Sequence, residues 1–210
     1  MKKIFYSIAL LSLMAACQNA PEGETSSATE KQETAVASGK TYTMDNALST
    51  VTFLGSKPTG THAGITHLVN GSLSVENGNI SSGNFIIDMS KIEIADKDTS
   101  NSYKLVGHLM SPDFFDVAKY PTSKFEITKS EVLTNDSTGT HRISGNLTLK
   151  DSTKNVSFPA KVSITEAGIT AIASFNIDRT QWGVHYGNDK SLQDKFIYPE
   201  VKITLNLTGK

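Results

Sequence analysis

The sequence predicts an all-β domain of about eight antiparallel strands, preceded by a leader and a polar tether. Three observations carry that prediction. Apolar side chains recur with a period of two over most of residues 40–210. Turn signals fall between the alternating runs. The 210 residues, 38% hydrophobic and 20% charged, suffice for one domain with a real core and not for several.

The leader comes first. Lys2 and Lys3 precede an apolar run over 4–14 that only Ser7 and Ser12 interrupt. The run has the length of a signal peptide and is too short to span a bilayer as a helix. Met14-Ala15-Ala16-Cys17 resembles the bacterial lipoprotein signal, although Leu usually stands where Met14 does. The resemblance implies cleavage before Cys17 and acylation of its sulfur. Several acyl chains would anchor firmly, since each buried methylene contributes about 0.8 kcal/mol. The competing reading is an ordinary cleaved signal with a chance cysteine. Gln18 is not the Asp that retains some lipoproteins at the inner membrane, so a lipid-anchored envelope protein of the outer membrane, facing the periplasm or the outside, is expected.

Charge and cysteine count exclude several classes. Twenty basic side chains face 21 acidic ones, which leaves no electrostatic footprint for nucleic acid. Cleavage would remove Lys2 and Lys3 and leave 18 against 21. A single cysteine excludes an intramolecular disulfide and every CxxC-type zinc site.

Residues 18–39 contain no aromatic and only scattered Ala and Val. Such a stretch buries too little to offset its ordering entropy, so a disordered linker is expected. As a flexible chain it would span roughly 25 Å.

The strands follow. Val51 and Phe53 alternate briefly. Leu73 and Val75 stand before Asn77-Gly78 and Ile80 after it, and Asn-Gly is the strongest short hairpin signal. Phe125 and Ile127 continue, then Ile143, Gly145, Leu147 and Leu149. Val156, Phe158, Ala160, Val162 and Ile164 form the longest run. Ile169, Ala171, Ala173, Phe175 and Ile177 come next, and Val201, Ile203, Leu205 and Leu207 close the chain. Strict alternation means one apolar face and one wet face, which points to antiparallel pairing. About eight such strands must close on themselves or pack on a second sheet. Closure would leave an interior for side chains or one small ligand.

One stretch breaks the period. Over 99–110, Tyr103, Val106 and Met110 recur at helical spacing beside Leu105 and Leu109, and Thr99 or Ser100 offers a cap. Ser111-Pro112 then opens a second turn that ends at Val117. The helical insert over about 99–117 is placed to cover one mouth of a barrel.

Several segments together resemble the YceI family of exported, lipocalin-like, polyisoprenoid-binding proteins. They are Tyr42-Thr43-Met44-Asp45 with Ser49-Thr50-Val51-Thr52-Phe53, His62-Ala63-Gly64, Asn70-Gly71-Ser72-Leu73, and the run from Phe85 to Ile92. The most specific is His108-Leu109-Met110-Ser111-Pro112-Asp113-Phe114-Phe115-Asp116-Val117-Ala118-Lys119-Tyr120-Pro121. Ile143 to Lys150 and Ile177-Asp178-Arg179-Thr180-Gln181-Trp182-Gly183-Val184 complete the match, which covers residues 40–210. Lys150-Asp151 departs from the family's Lys-Gly at that turn. The resemblance implies an eight-stranded antiparallel barrel with a helical insert and an elongated apolar cavity associated with long isoprenoid chains. The ligand-binding residues expected on that basis are Phe53, Phe85, Leu105, His108, Leu109, Phe114, Phe115, Phe125, Leu147, Phe158, Phe175, Arg179, Trp182 and Phe196.

Little else carries chemistry. Gly55 and Gly60 have phosphate-loop spacing, but Thr61 stands where lysine is required. There is no HExxH motif and no GxSxG elbow. His62 and His67 differ by five and fall on opposite faces of a strand, so no metal site is expected. His108 reads as a packing residue under the insert or as a head-group contact. Arg179 reads first as a structural cation, and as an anion contact if it faces the mouth. The Asn-x-Ser/Thr sites at Asn146 and Asn155 read as polar strand positions. The leading expectation is a non-enzymatic binding module, without cofactor, that sequesters or carries a polyisoprenoid, an isoprenoid quinone or a similar lipid. Its partners would be that lipid and a membrane reached through Cys17, and homodimer formation is left open. The alternatives are a filled-barrel interaction protein and a lipid-modifying enzyme.

Overall fold

The computed structural model describes residues 20–95, 99–134 and 136–210. The leader and Cys17 lie outside the described residues. The strands are β1 (Lys40–Thr43), β2 (Thr50–Lys57), β3 (Gly60–Glu76), β4 (Asn79–Asp88), β5 (Glu93–Ile94), β6 (Thr122–Val132), β7 (His141–Leu149), β8 (Ser152–Thr165), β9 (Gly168–Asp178) and β10 (Glu200–Gly209). Helix α1 (Thr99–Met110) stands between β5 and β6.

These strands pair antiparallel and close into an eight-stranded barrel. β1 and β2 share one position in the wall, because they pair with different halves of β3. The ladder then runs β3, β4, β6, β7, β8, β9 and β10, and β10 returns to β2. The turn from β3 to β4 is Asn77-Gly78, with φ of 51° and 78°. Both values are positive, as a two-residue hairpin matched to strand twist requires.

The two ends differ. At one end, Tyr42, Met44 and Ile169 are buried, and Met44 and Ile169 meet over Gly209. That end is plugged. At the other end lie the β2–β3 and β7–β8 turns, α1, and the long connection from Arg179 to Pro199. Trp182 in that connection is buried and donates its indole Nε1–H to the Leu147 carbonyl at 2.9 Å.

The wall parts in two places. β8 and β9 pair only from Thr165/Gly168 to Ala160/Ala173, and β4 and β6 only from Asp88/Thr122 to Asn84/Glu126. Unpaired backbone groups in such edges must find other partners. Residues 20–39 supply them. Asn176 N–H donates to the Glu24 carbonyl and Ser26 N–H to that of Asn176, both at 2.8 Å. Thr29 and Asn155 exchange two backbone bonds at 2.9 Å. The Asn146 amide, fully buried, accepts from Gln32 N–H at 3.0 Å and donates to the Gln32 carbonyl at 2.7 Å. Ala35 N–H reaches the Ile127 carbonyl, and Ser38 pairs with Ser81.

The disordered linker expected for this stretch is therefore corrected over residues 20–39. They form a strap. Its docking rests on backbone bonds to open strand edges and on the side chains of Ser81, Asn146 and Asn176, partners that the composition of the strap itself does not report. The ion pairs Glu24–Arg142 and Glu30–Lys154 add little at this exposure.

Replacing Asn146 with Ala leaves the Gln32 amide and carbonyl without partners under the strap. Unfolding in urea should show a loss of about 1–3 kcal/mol.

A second expectation concerns pH. His141 is buried, its Nδ1 lies 2.9 Å from Thr140 Oγ1, and burial lowers its pKa. The unfolded chain takes up a proton that the folded chain resists, so stability rises with pH across this titration. The contribution should be complete above about pH 6.5 and decline as pH falls below it. His141→Asn should flatten that decline in unfolding curves measured across the interval.

Candidate ligand-binding cavity

The barrel is hollow. A cavity of about 330 Å³ runs from Leu73 and Ile80, near the plugged end, to Lys57, His62 and α1 at the other. Strands of this length, tilted as barrels require, give it a span on the order of 25 Å. The volume spread over that length is a narrow channel. Val51, Phe53, Phe125, Leu147, Ile203 and Leu205 line it and are only half-buried, because they face space instead of other side chains.

Phenylalanines belt the channel. Phe158 and Phe175 stack in parallel at 3.9 Å, Phe125 lies 5.7 Å from Phe158, and Phe85 lies 6.4 Å from Phe125. Glycines keep two rings against the wall. A Cβ on Gly64 would sit 2.1 Å from Phe53 Cζ, and one on Gly145 would sit 2.3 Å from Phe125 Cζ. Each ring fills the place where a neighbouring strand has no side chain, so the lumen stays open.

Most of the polar side chains of the lining gather at the mouth, with Thr66 and Ser123 as polar positions on β3 and β6. Lys57 and His62 come from the ends of β2 and β3, and His108 from α1. The His108 ring meets Phe114 edge-on at 4.9 Å and Tyr186 at 4.5 Å, and its Nε2 lies 3.1 Å from Asp113 Oδ2. Arg179 borders the cavity but is committed to the fold. Its guanidinium donates to the carbonyls of Tyr198 at 3.3 Å, Val184 at 2.6 Å and Ile197 at 3.0 Å. Burial lowers its pKa and the Asp178 carboxylate opposes that shift. An arginine starts so high that it stays charged. The side chain staples the connection between β9 and β10 over the mouth.

Twelve of the residues expected at the site border the cavity: Phe53, Phe85, Leu105, His108, Leu109, Phe114, Phe115, Phe125, Leu147, Phe158, Phe175 and Arg179. Trp182 and Phe196 do not. Trp182 is held outside the lumen by its bond to Leu147, and Phe196 packs edge-on against Tyr198 at 5.1 Å. Sequence reasoning missed Leu73, Ile80, Ile143, Val156 and Ile203, among others. The signal for them was the period of two itself, since every inward position of a hollow barrel lines the lumen. His62 lines the cavity and His67 does not, as their spacing predicts. Among the described residues no group of three His, Cys, Asp or Glu is placed to hold a metal.

The family model described as YceI-like domain matches residues 42–209. The chain belongs to the YceI-like domain family. Solved structures agree in fold. BcnA of Burkholderia cenocepacia superposes with a TM-score of 0.65 at 19% identity, over 80% of this chain and 99% of that one. A polyisoprenoid binding domain from Saccharophagus degradans gives 0.61 at 14% identity, over 80% and 97%. The YCEI protein of Campylobacter jejuni gives 0.52 at 12% identity, over 97% and 99%. No curated protein matches the chain. The YceI-like barrel expected from the sequence motifs is thus the fold observed.

The glycine positions make a direct prediction. Gly145→Ala forces the Phe125 ring off the wall and into the lumen, at a cost of about 1–3 kcal/mol for overpacking. A crystal structure of the variant should show the ring displaced and the channel narrowed beside it.

Proposed function

We propose that this YceI-like protein is an envelope lipoprotein that holds a long apolar ligand in its barrel for sequestration or transport. The ligand class is a polyisoprenoid, an isoprenoid quinone or a similar lipid. One observation carries the reading: an open, narrow, apolar channel with most of its polar side chains at a single mouth. A chain-like molecule fits that shape, its tail along the phenylalanine belt and its polar end beside Lys57, His62 and His108. Each buried methylene contributes about 0.8 kcal/mol. Affinity saturates near about −20 kcal/mol, so chain length and head group decide selectivity. The polyisoprenoid binding domain with the same fold supports the ligand class. A lining this apolar suits holding a ligand and not transforming it. The open lumen also favours a carrier over a barrel filled with its own side chains. The leader ending in Met14-Ala15-Ala16-Cys17 supports export and acylation, with the outer membrane as destination.

The test uses residues 18–210, exported behind a non-lipoprotein signal and purified without detergent. Native mass spectrometry should find a stoichiometric long-chain lipid. Phe158→Asp should abolish loading, and Ala171→Trp, which fills the channel, should cut it severalfold while circular dichroism shows the barrel intact. An empty protein that takes up no quinone, isoprenoid or fatty acid would overturn the reading.

A further inference from the structure

The strap fixes where the N-terminal segment leaves the barrel. Asn176 Nδ2 donates to the Pro21 carbonyl at 2.6 Å. Asn176 lies two residues before the end of β9, and Arg179 at the mouth follows directly. The strap therefore begins, at Pro21, beside the mouth end. Cys17 is four residues upstream, a reach of at most about 14 Å. That is well short of the barrel's own length, on the order of 25 Å. An anchor at Cys17 cannot present the plugged end to a membrane unless the strap comes off.

The mouth end also carries exposed apolar surface. Tyr103 on α1 is 79% exposed, Tyr186 46% and Leu192 42%. Tyr186 packs on His108 of α1 at 4.5 Å, so the helix and the β9–β10 connection touch at the mouth. Of the other large exposed apolar residues, Val36 lies on the strap and Ile172 on β9, Leu48 and Val69 lie on the β1–β2 loop and the part of β3 it bonds through Asn46, and Val132 ends β6. Tyrosines suit the boundary between headgroups and hydrocarbon, where the ring is apolar and the hydroxyl stays wet.

We propose that the surface bearing Tyr103, Tyr186 and Leu192 rests on a lipid bilayer, with the docked strap holding the mouth toward it. The inference builds on the reading of Cys17 as the anchor. A ligand then passes between lumen and bilayer without crossing bulk water, and the strap sets orientation as well as tether length.

The test starts from a chain beginning at Cys17, which keeps every described residue and has one thiol. It is coupled through that thiol to a maleimide lipid in vesicles of phosphatidylethanolamine and phosphatidylglycerol. Amide hydrogen exchange is compared with the uncoupled chain. Segments 101–110 and 185–197 should exchange severalfold more slowly on vesicles, and the turns at 77–78 and 166–168 should not change. Ser26→Pro with Thr29→Pro removes two N–H donors of the strap and should erase the difference between the ends. Tyr103→Ser with Leu192→Ser leaves the strap intact and should remove the protection alone. Equal protection at both ends, or protection at the plugged end, would overturn the proposal. Quinone uptake measured on the same samples separates the two readings. A loaded barrel without end preference sinks the orientation only, and an empty barrel with end preference sinks the ligand reading only.

Discussion

Backbone hydrogen bonding around the wall is what this molecule depends on. A solid barrel is held together by its filled interior as well as its ladder. Here the interior is partly empty, and side chains such as Phe53 and Leu205 face space. The wall must satisfy its own amides and carbonyls, and it parts between β8 and β9 and between β4 and β6. The strap of residues 20–39 bridges the first break with backbone bonds of 2.8–2.9 Å, reaches the second through the Ile127 carbonyl and the Ser81 hydroxyl, and sets Asn146 and Asn155 as buried polar partners beneath it. The N-terminal segment is thus part of the wall and not an addition to it.

The lumen stays open through a division of labour between residue types. Large rings supply apolar surface, and glycines on neighbouring strands give those rings somewhere to lie. Gly64 with Phe53 and Gly145 with Phe125 are the two closest cases. Polarity is graded along the same axis. The plugged end is apolar and buried, while the mouth gathers Lys57, His62 and His108 and is roofed by α1 and the Arg179 staple. A molecule with one polar end has only one way to enter such a channel.

Much of this was legible in the sequence. The period of two identified the strands, Asn77-Gly78 gave a hairpin with the required positive φ angles, and residues 99–110 form the helix that their spacing predicted. Inward phenylalanines were correctly separated from surface residues because alternation assigns faces. Trp182 and Phe196 are buried but do not border the cavity, because aromatic character does not distinguish a lumen from the packing under a connecting segment. Arg179 was legible as a structural cation, but its three carbonyl partners belong to a loop whose path alternation does not encode. The strap was read as a spacer for a different reason. Its stability comes from strands that lie from 43 to 155 residues away, and a local reading of Ser, Thr and Glu contains none of that.

The strap also orders the events of folding. Residues 20–39 are synthesised before any of the strands they join, yet their partners run from Glu76 to Asn176. The earliest segment of the domain is therefore the last that can find its place. Until it does, β8 and β9 present bare edges, which are templates for pairing with another chain. Contacts of such separation form slowly. A newly synthesised molecule passes through a vulnerable interval whose length is set by this closure, and chaperones that bind extended segments would compete with it for the same two gaps.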